Sequence, residues 1–76
     1  MTAPHIERVG PPRGWEQLSI DGRTATVPGE VIVTDLGVRW VSYIRRARWD
    51  DDGSELSPDL LEQIRNHLDS PHTWFE

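Results

Sequence analysis

Histidine and acidic side chains are the residues of this 76-residue chain that could bind a metal ion. His67 and His72 lie five residues apart across the predicted end of a helix, which fits neither two ligands on one helical face nor a zinc motif. His5 lies far from both in the sequence, and the absence of cysteine excludes thiolate zinc sites and disulfides. The acidic residues within segment 50–55 lack the ligand spacing of an EF-hand loop. We therefore predict a solvated acidic loop and no metal site.

The sequence lacks the patterns that are typical of catalysis. No Ser-His-Asp set, pair of carboxylates in a predicted cleft, or glycine-rich phosphate loop is recognisable, since Gly10 and Gly14 lie among prolines. A chain of this length also has difficulty enclosing a substrate. We predict a non-enzymatic protein that uses no cofactor.

Arginine and aromatic side chains are interleaved between Arg39 and Trp49. Such a pattern on a sheet can hold single-stranded nucleic acid through base stacking and phosphate contacts. The net charge of −5 and the run Asp50–Asp52 oppose phosphate binding. Arg, Trp and Tyr are also enriched at the centres of protein–protein interfaces. These features favour a protein partner, with single-stranded nucleic acid as the alternative.

Length and charge restrict the class of protein further. Seventy-six residues allow one small domain. Residues 1–49 carry a net charge of +2 and residues 50–76 carry −7. No apolar run approaches the roughly 18 residues that span a bilayer, and the first residues lack the pattern of a signal sequence. We expect a soluble, acidic, cytoplasmic protein that does not bind a membrane.

Turn-forming residues divide the first two thirds of the chain into strands. Proline and glycine predict that residues 1–13 are an extended tail and that residues 14–76 form the single domain. Asp21-Gly22 predicts a tight hairpin turn, and Pro28-Gly29 predicts a second reversal. A loop at residues 35–37 then separates a third strand from a fourth. The predicted strands cover residues 16–20, 23–27, 30–34 and 38–48.

One helix is predicted after the acidic loop. Ser57 is a good N-cap residue, and Pro58 suits the first helical position. Apolar residues recur at helical spacing over residues 58–69, and Leu56 and Leu61 stand at the positions of a hydrophobic staple. We therefore predict an α+β fold: a four-stranded antiparallel β-meander with one C-terminal α-helix packed on one face.

Alternation along the predicted strands separates a covered face of the sheet from an open one. The covered face collects Leu18, Ile20, Ala25, Val27, Ile32, Val38, Trp40 and Ile44. The helix cannot cover both faces, so the outer face of the second hairpin keeps an apolar patch. A one-residue slip in register would exchange the two faces. The residues that we predict to bind a partner on the open face are Val31, Val33, Arg39, Val41, Tyr43, Arg45 and Trp49.

Two interpretations explain such a patch. The terminal segments could fold back over it, using Ile6 and Val9 or Trp74 and Phe75. Alternatively, the patch binds another protein or a second copy of this chain. From this interpretation we expect a small accessory or regulatory module that binds a protein partner or self-associates.

Overall fold

The computed structural model describes residues 4–10 and 14–76, which form six strands, one α-helix and one 3-10 turn. The strands belong to one mixed sheet in the order β1-β2-β3-β4-β6, and β5 pairs with β3. The α+β class and the single C-terminal helix are confirmed, although the strands number six rather than four. The elements are β1 (Ile6–Arg8), β2 (Trp15–Ile20), β3 (Arg23–Thr34), β4 (Gly37–Ser42), the 3-10 turn (Ile44–Arg46), β5 (Arg48–Trp49), α1 (Pro58–Leu68) and β6 (Thr73–Phe75).

The first hairpin forms as the sequence predicts. Asp21 and Gly22 both have positive φ, 51° and 88°, as a two-residue turn between antiparallel strands requires. The pairing of β2 with β3 places Leu18 opposite Ala25, and both side chains are buried. This hairpin therefore supplies the centre of the core.

The predicted reversal at Pro28-Gly29 is wrong, because β3 runs straight through it. Pro28 pairs with Trp15 of β2, and the next residue, Gly29, pairs with Ser42 of β4. At about 3.3 Å per residue, the 12 residues of β3 extend for about 40 Å. The long axis of the molecule measures 41 Å, so β3 runs nearly its whole length.

The predicted fourth strand is interrupted opposite Pro28. Gly29 pairs with Ser42, and Thr26 pairs with Arg48. The two paired positions are three residues apart in β3 but six residues apart in the opposing chain. The 3-10 turn Ile44–Arg46 takes up the three extra residues. Proline has no N–H to donate to a strand ladder, so on this side Pro28 bonds through its carbonyl alone, which accepts a hydrogen bond from the Tyr43 N–H at 2.9 Å.

The helix begins and ends close to its predicted bounds. The Ser57 hydroxyl accepts a hydrogen bond from the Leu60 N–H at 3.3 Å, and Pro58 occupies the first helical turn. The 11 residues of α1 extend for about 16 Å, less than half the length of β3. The core that α1 completes contains Leu18, Ile20, Ala25, Val27, Ile44, Ala47, Leu56, Ile64 and Leu68.

Both terminal segments add a strand to the sheet. Residues Ile6–Arg8, predicted to be part of an extended tail, pair with β2, and Ile6 packs against the core. Residues Thr73–Phe75 pair in parallel with β4, and Phe75 also packs against the core. Within the described ranges, no helix has the length and apolar character needed to cross a membrane.

The uninterrupted path of β3 changes which side chains share a face. Alternate residues of one strand point to the same face, so Val31 continues the row of Val27 and Ile32 falls on the opposite face. The register pairs Val31 with Trp40 and Val33 with Val38. Placing Ile32 with the core residues was therefore wrong, because that placement depended on a turn that does not form.

Candidate interaction surface

The second hairpin extends beyond the helix as an arm, here defined as residues 30–39. On the face that continues from the core, Val31, Val33 and Val38 are 61%, 81% and 58% exposed, and Leu36 at the tip is 82% exposed. These side chains are exposed because α1 covers only the first half of β3. We call Val31, Val33, Val38 and Leu36 the arm face. It is a continuous apolar surface of the kind that marks interaction sites.

One backbone edge of the arm is open. The Gly29 N–H donates to the Gly14 carbonyl on the β2 side, at 3.1 Å. Alternate residues of a strand direct their N–H and C=O groups to the same edge, so Val31 and Val33 direct theirs to that side as well. Among residues 4–10 and 14–76, no strand pairs with that edge beyond Gly29. The arm therefore presents unpaired donors and acceptors beside its apolar face.

The opposite face of the second hairpin is closed at the base of the arm, next to β6. Val41, predicted to be open, is 5% exposed. It pairs with Glu30 on one side and with Trp74 of β6 on the other. The predicted exposure of Val41 is thus wrong. The C-terminal segment reaches this position by adding a strand beside β4 rather than by folding back over the sheet face, and Trp74 is itself 48% exposed. Val31 and Val33 lie on the other face, where β6 does not cover them.

The remaining predicted site residues lie in separate places. The Tyr43 hydroxyl donates to the Glu30 carboxylate, which raises the pKa of Tyr43. Arg39 is half-buried and belongs to the same face as Val41. Arg45 is exposed on the 3-10 turn and lines a different cleft. The seven predicted residues therefore form no single surface, and of these seven the arm face contains Val31 and Val33.

Trp49 lies at the far end of β3 from the arm. It pairs with Ala25 and packs against the core, while the Arg23 guanidinium lies 4.0 Å from the centre of its ring. A cation–π contact of this kind leaves that ring face unavailable for stacking. Trp49 thus stabilises the fold rather than extending the open patch.

A cleft of about 370 Å³ lies at the base of the arm. Val31 and Trp40 line it together with Glu16, a carboxylate that is only 5% exposed. Arg8 pairs with this carboxylate, with Nε 3.3 Å from Oε2, but within the described part of the chain no group donates a hydrogen bond to Oε2. The indole N–H of Trp40 is buried and has no acceptor among those residues either. The base of the arm is therefore partly apolar and contains hydrogen-bonding groups with unused capacity.

The sequence contains a signal for the buried carboxylate. The alternation that predicts Leu18 and Ile20 to point inward places Glu16 inward as well. No such signal predicts that Val38 is exposed, because the alternation along the strands places Val38 on the same face as the buried core residues. Its exposure depends on how far α1 extends along the sheet.

The acidic loop makes hydrogen bonds to the first hairpin. Asp50 accepts hydrogen bonds from the Thr26 hydroxyl at 2.6 Å and from the Gln17 amide at 3.0 Å, which lower its pKa. Asp51 accepts two hydrogen bonds from Arg23, which lower the pKa of Asp51. In the part of the chain that the structure describes, no three His, Asp or Glu side chains are grouped as a metal site would need.

Comparison with protein-family models, curated proteins and solved structures finds no match for this chain.

Proposed function

We propose that this protein is a small, non-enzymatic interaction module that binds a protein through the arm face. The observation that carries the proposal is the row Val31, Val33 and Val38, exposed on one face of a two-stranded extension. Burial of such side chains contributes about 1.5–3 kcal/mol each. Burial of these side chains in an interface would therefore stabilise a complex relative to the isolated chain.

The total surface of the molecule supports this proposal. A compact protein of 8.7 kDa exposes about 4,700 Å². This chain exposes 5297 Å². The excess, about 600 Å², approaches the roughly 800 Å² that each partner contributes to a standard interface. A surface larger than that of a compact domain of this mass supports a role as a binding module.

Single-stranded nucleic acid receives less support as the partner. Base stacking needs an open aromatic face. Arg23 covers one face of Trp49, and Arg46 lies 4.9 Å from the ring centre of Tyr43. The arm face itself contains no cationic side chain. We also propose that the protein acts in the cytoplasm, since it lacks the disulfides with which small secreted domains supplement a limited core.

The test compares immobilised wild-type protein with two variants of equal net charge in an extract of its own host. Val33→Lys places a charge on the arm face, and Asn66→Lys, on the exposed side of α1, is a control for a new surface lysine. We expect the wild type and Asn66→Lys to retain the same proteins and Val33→Lys to lose them. Retention should change little between low and high salt, because salt screens interactions between charges and the arm face is apolar. Equal retention by all three baits would contradict the proposal.

A further inference from the structure

We infer that the partner of the arm is a second copy of this chain, paired antiparallel along the open edge of β3. The inference rests on the proposed function, since it names the occupant of the same surface. A two-fold axis places a strand antiparallel to the same strand of the second copy. The edge of that strand must therefore be compatible with the same residues in the opposite order. Residues 30–34 form such an edge.

The length of the open edge determines where the second copy can pair. On one side the edge stops at Gly29, whose N–H is already bonded to Gly14. On the other side it stops at Thr34, where β3 ends in the turn to β4. Between these boundaries the edge comprises the five residues 30–34, and among residues 4–10 and 14–76 no strand pairs with the outward groups of Val31 and Val33. Centring the two-fold axis on Ile32 pairs all five with the same five residues of the second copy.

This register satisfies the free backbone groups in full. Val31 of one copy lies opposite Val33 of the other, and both direct their N–H and C=O groups to the shared edge. Each such pair makes two hydrogen bonds, and the two-fold axis generates the pair twice. Four backbone hydrogen bonds thus join β3 to its copy. An unpaired edge is otherwise exposed to uncontrolled association.

The side chains are compatible with the same register. On the arm face, the row of Val38 and Val33 continues into Val31 and Trp40 of the other copy, so the apolar surface becomes continuous across the axis. On the opposite face, Ile32 meets Ile32, and Glu30 faces Thr34. Like charges therefore never lie directly opposite one another, which would be destabilising.

The first measurement is the mass of the full chain in solution by light scattering across a range of concentrations. We expect it to rise to twice 8.7 kDa. Val33→Pro removes an N–H that the monomer does not use, and proline is tolerated where the missing N–H faces an open edge. It should weaken dimerisation by about tenfold or more, because symmetry removes the hydrogen bond twice. Val33→Thr keeps the N–H and should still form the dimer.

A cysteine cross-link tests the register separately. The chain contains no cysteine, so an introduced thiol is unique. Across the proposed axis the two Ile32 residues form a pair without hydrogen bonds, with Cα atoms about 4.5 Å apart, which a disulfide can bridge. Ile32→Cys should therefore give a covalent dimer under mild oxidation. Glu30→Cys, whose counterpart lies at the other end of the pairing, should not.

Each outcome distinguishes the inference from the proposed function. A wild-type chain that stays monomeric at every concentration overturns the inference, and so does equal cross-linking of Ile32→Cys and Glu30→Cys. If Val38→Lys abolishes the dimer while Val33→Pro does not, the copies meet through the arm face rather than the edge, which also overturns the inference. In all these cases the proposed function still stands if Val33→Lys loses host proteins that the wild type retains.

Discussion

The ring of Trp40 packs against the backbone of Gly29. A Cβ atom at Gly29 would lie 2.8 Å from Cε2 of Trp40 and 2.7 Å from the Val41 carbonyl oxygen. Both distances are well inside ordinary contact, so the glycine is needed for space at the point where the arm leaves the body of the sheet.

We expect Gly29→Ala to destabilise the fold by about 1–3 kcal/mol through overpacking. Urea unfolding followed by tryptophan fluorescence and circular dichroism measures this. In a Trp40→Leu background the same substitution should cost less, since the smaller side chain can move away. Equal costs in both backgrounds would show that the indole does not restrict residue 29.

Two lysine substitutions distinguish the closed face from the open one. Val41→Lys places a charge at a site that is 5% exposed, between Glu30 and Trp74. It should lower the free energy of unfolding by about 3 kcal/mol or more. Val33→Lys should change it by about 0.5 kcal/mol or less when measured at concentrations where the chain is monomeric. Comparable losses for both variants would place Val33 in a packed environment and contradict the arm.

The helix provides a test of the core. Ile64 is fully buried, whereas Leu61 is half-buried. We expect Ile64→Ala to cost about 2–4 kcal/mol, most of what a domain of this size has, and Leu61→Ala to cost less. Asn66→Ala, on the exposed side of α1, serves as the control. A melting temperature of Ile64→Ala close to that of the wild type would mean that α1 does not complete the core.

The acidic loop predicts the response of the fold to acid. Hydrogen bonds from Thr26 and Gln17 lower the pKa of Asp50, so its carboxylate stabilises the folded state above the ordinary aspartate value of 3.8. That contribution is lost as the pH falls below about 4 and through the folded pKa. We expect stability to decrease over this range, and less steeply in Asp50→Asn and Thr26→Val. Thr26→Ser keeps the donor and should behave as the wild type does; an unchanged slope in Thr26→Val would contradict this account.

The buried carboxylate at the base of the arm gives an asymmetric prediction. Arg8→Ala leaves Glu16 buried without its counter-charge and should destabilise the fold by about 1–3 kcal/mol. Glu16→Leu removes the charge together with its desolvation cost and should be neutral or stabilising. Chemical denaturation of the two single variants and the double variant checks this. A stabilised Arg8→Ala would mean that the carboxylate is already satisfied by other groups.

Local sequence signals predicted the elements that are fixed by local physics. Asp21-Gly22 adopts the positive φ angles of its turn, and Ser57 caps a helix that begins at Pro58. These conformations are set by backbone sterics and by hydrogen bonds within a few residues. The same locality explains why the alternation over β2 identified Leu18 and Ile20 as buried.

Pro28-Gly29 was ambiguous for a physical reason. Proline and glycine favour a turn, but proline also fits a strand at a position where no N–H donor is needed, and glycine fits one where a large ring approaches the backbone. The interruption of the opposing strand supplies the first condition, and Trp40 supplies the second. Both arise from residues more than ten positions away, so only the tertiary structure could decide between a turn and a strand.

The candidate site was decided in the same way. The residue pattern predicted more apolar side chains on the second hairpin than one helix can cover, and Val31 and Val33 are indeed exposed. Which of the other side chains stay exposed depended on the straight path of β3, which fixes the faces, and on β6, which closes the side of Val41. It also depended on the reach of α1, which is shorter than the strand beneath it. Exposure results from the relative lengths and positions of packed elements, and the alternation of residues along one strand carries no information about them.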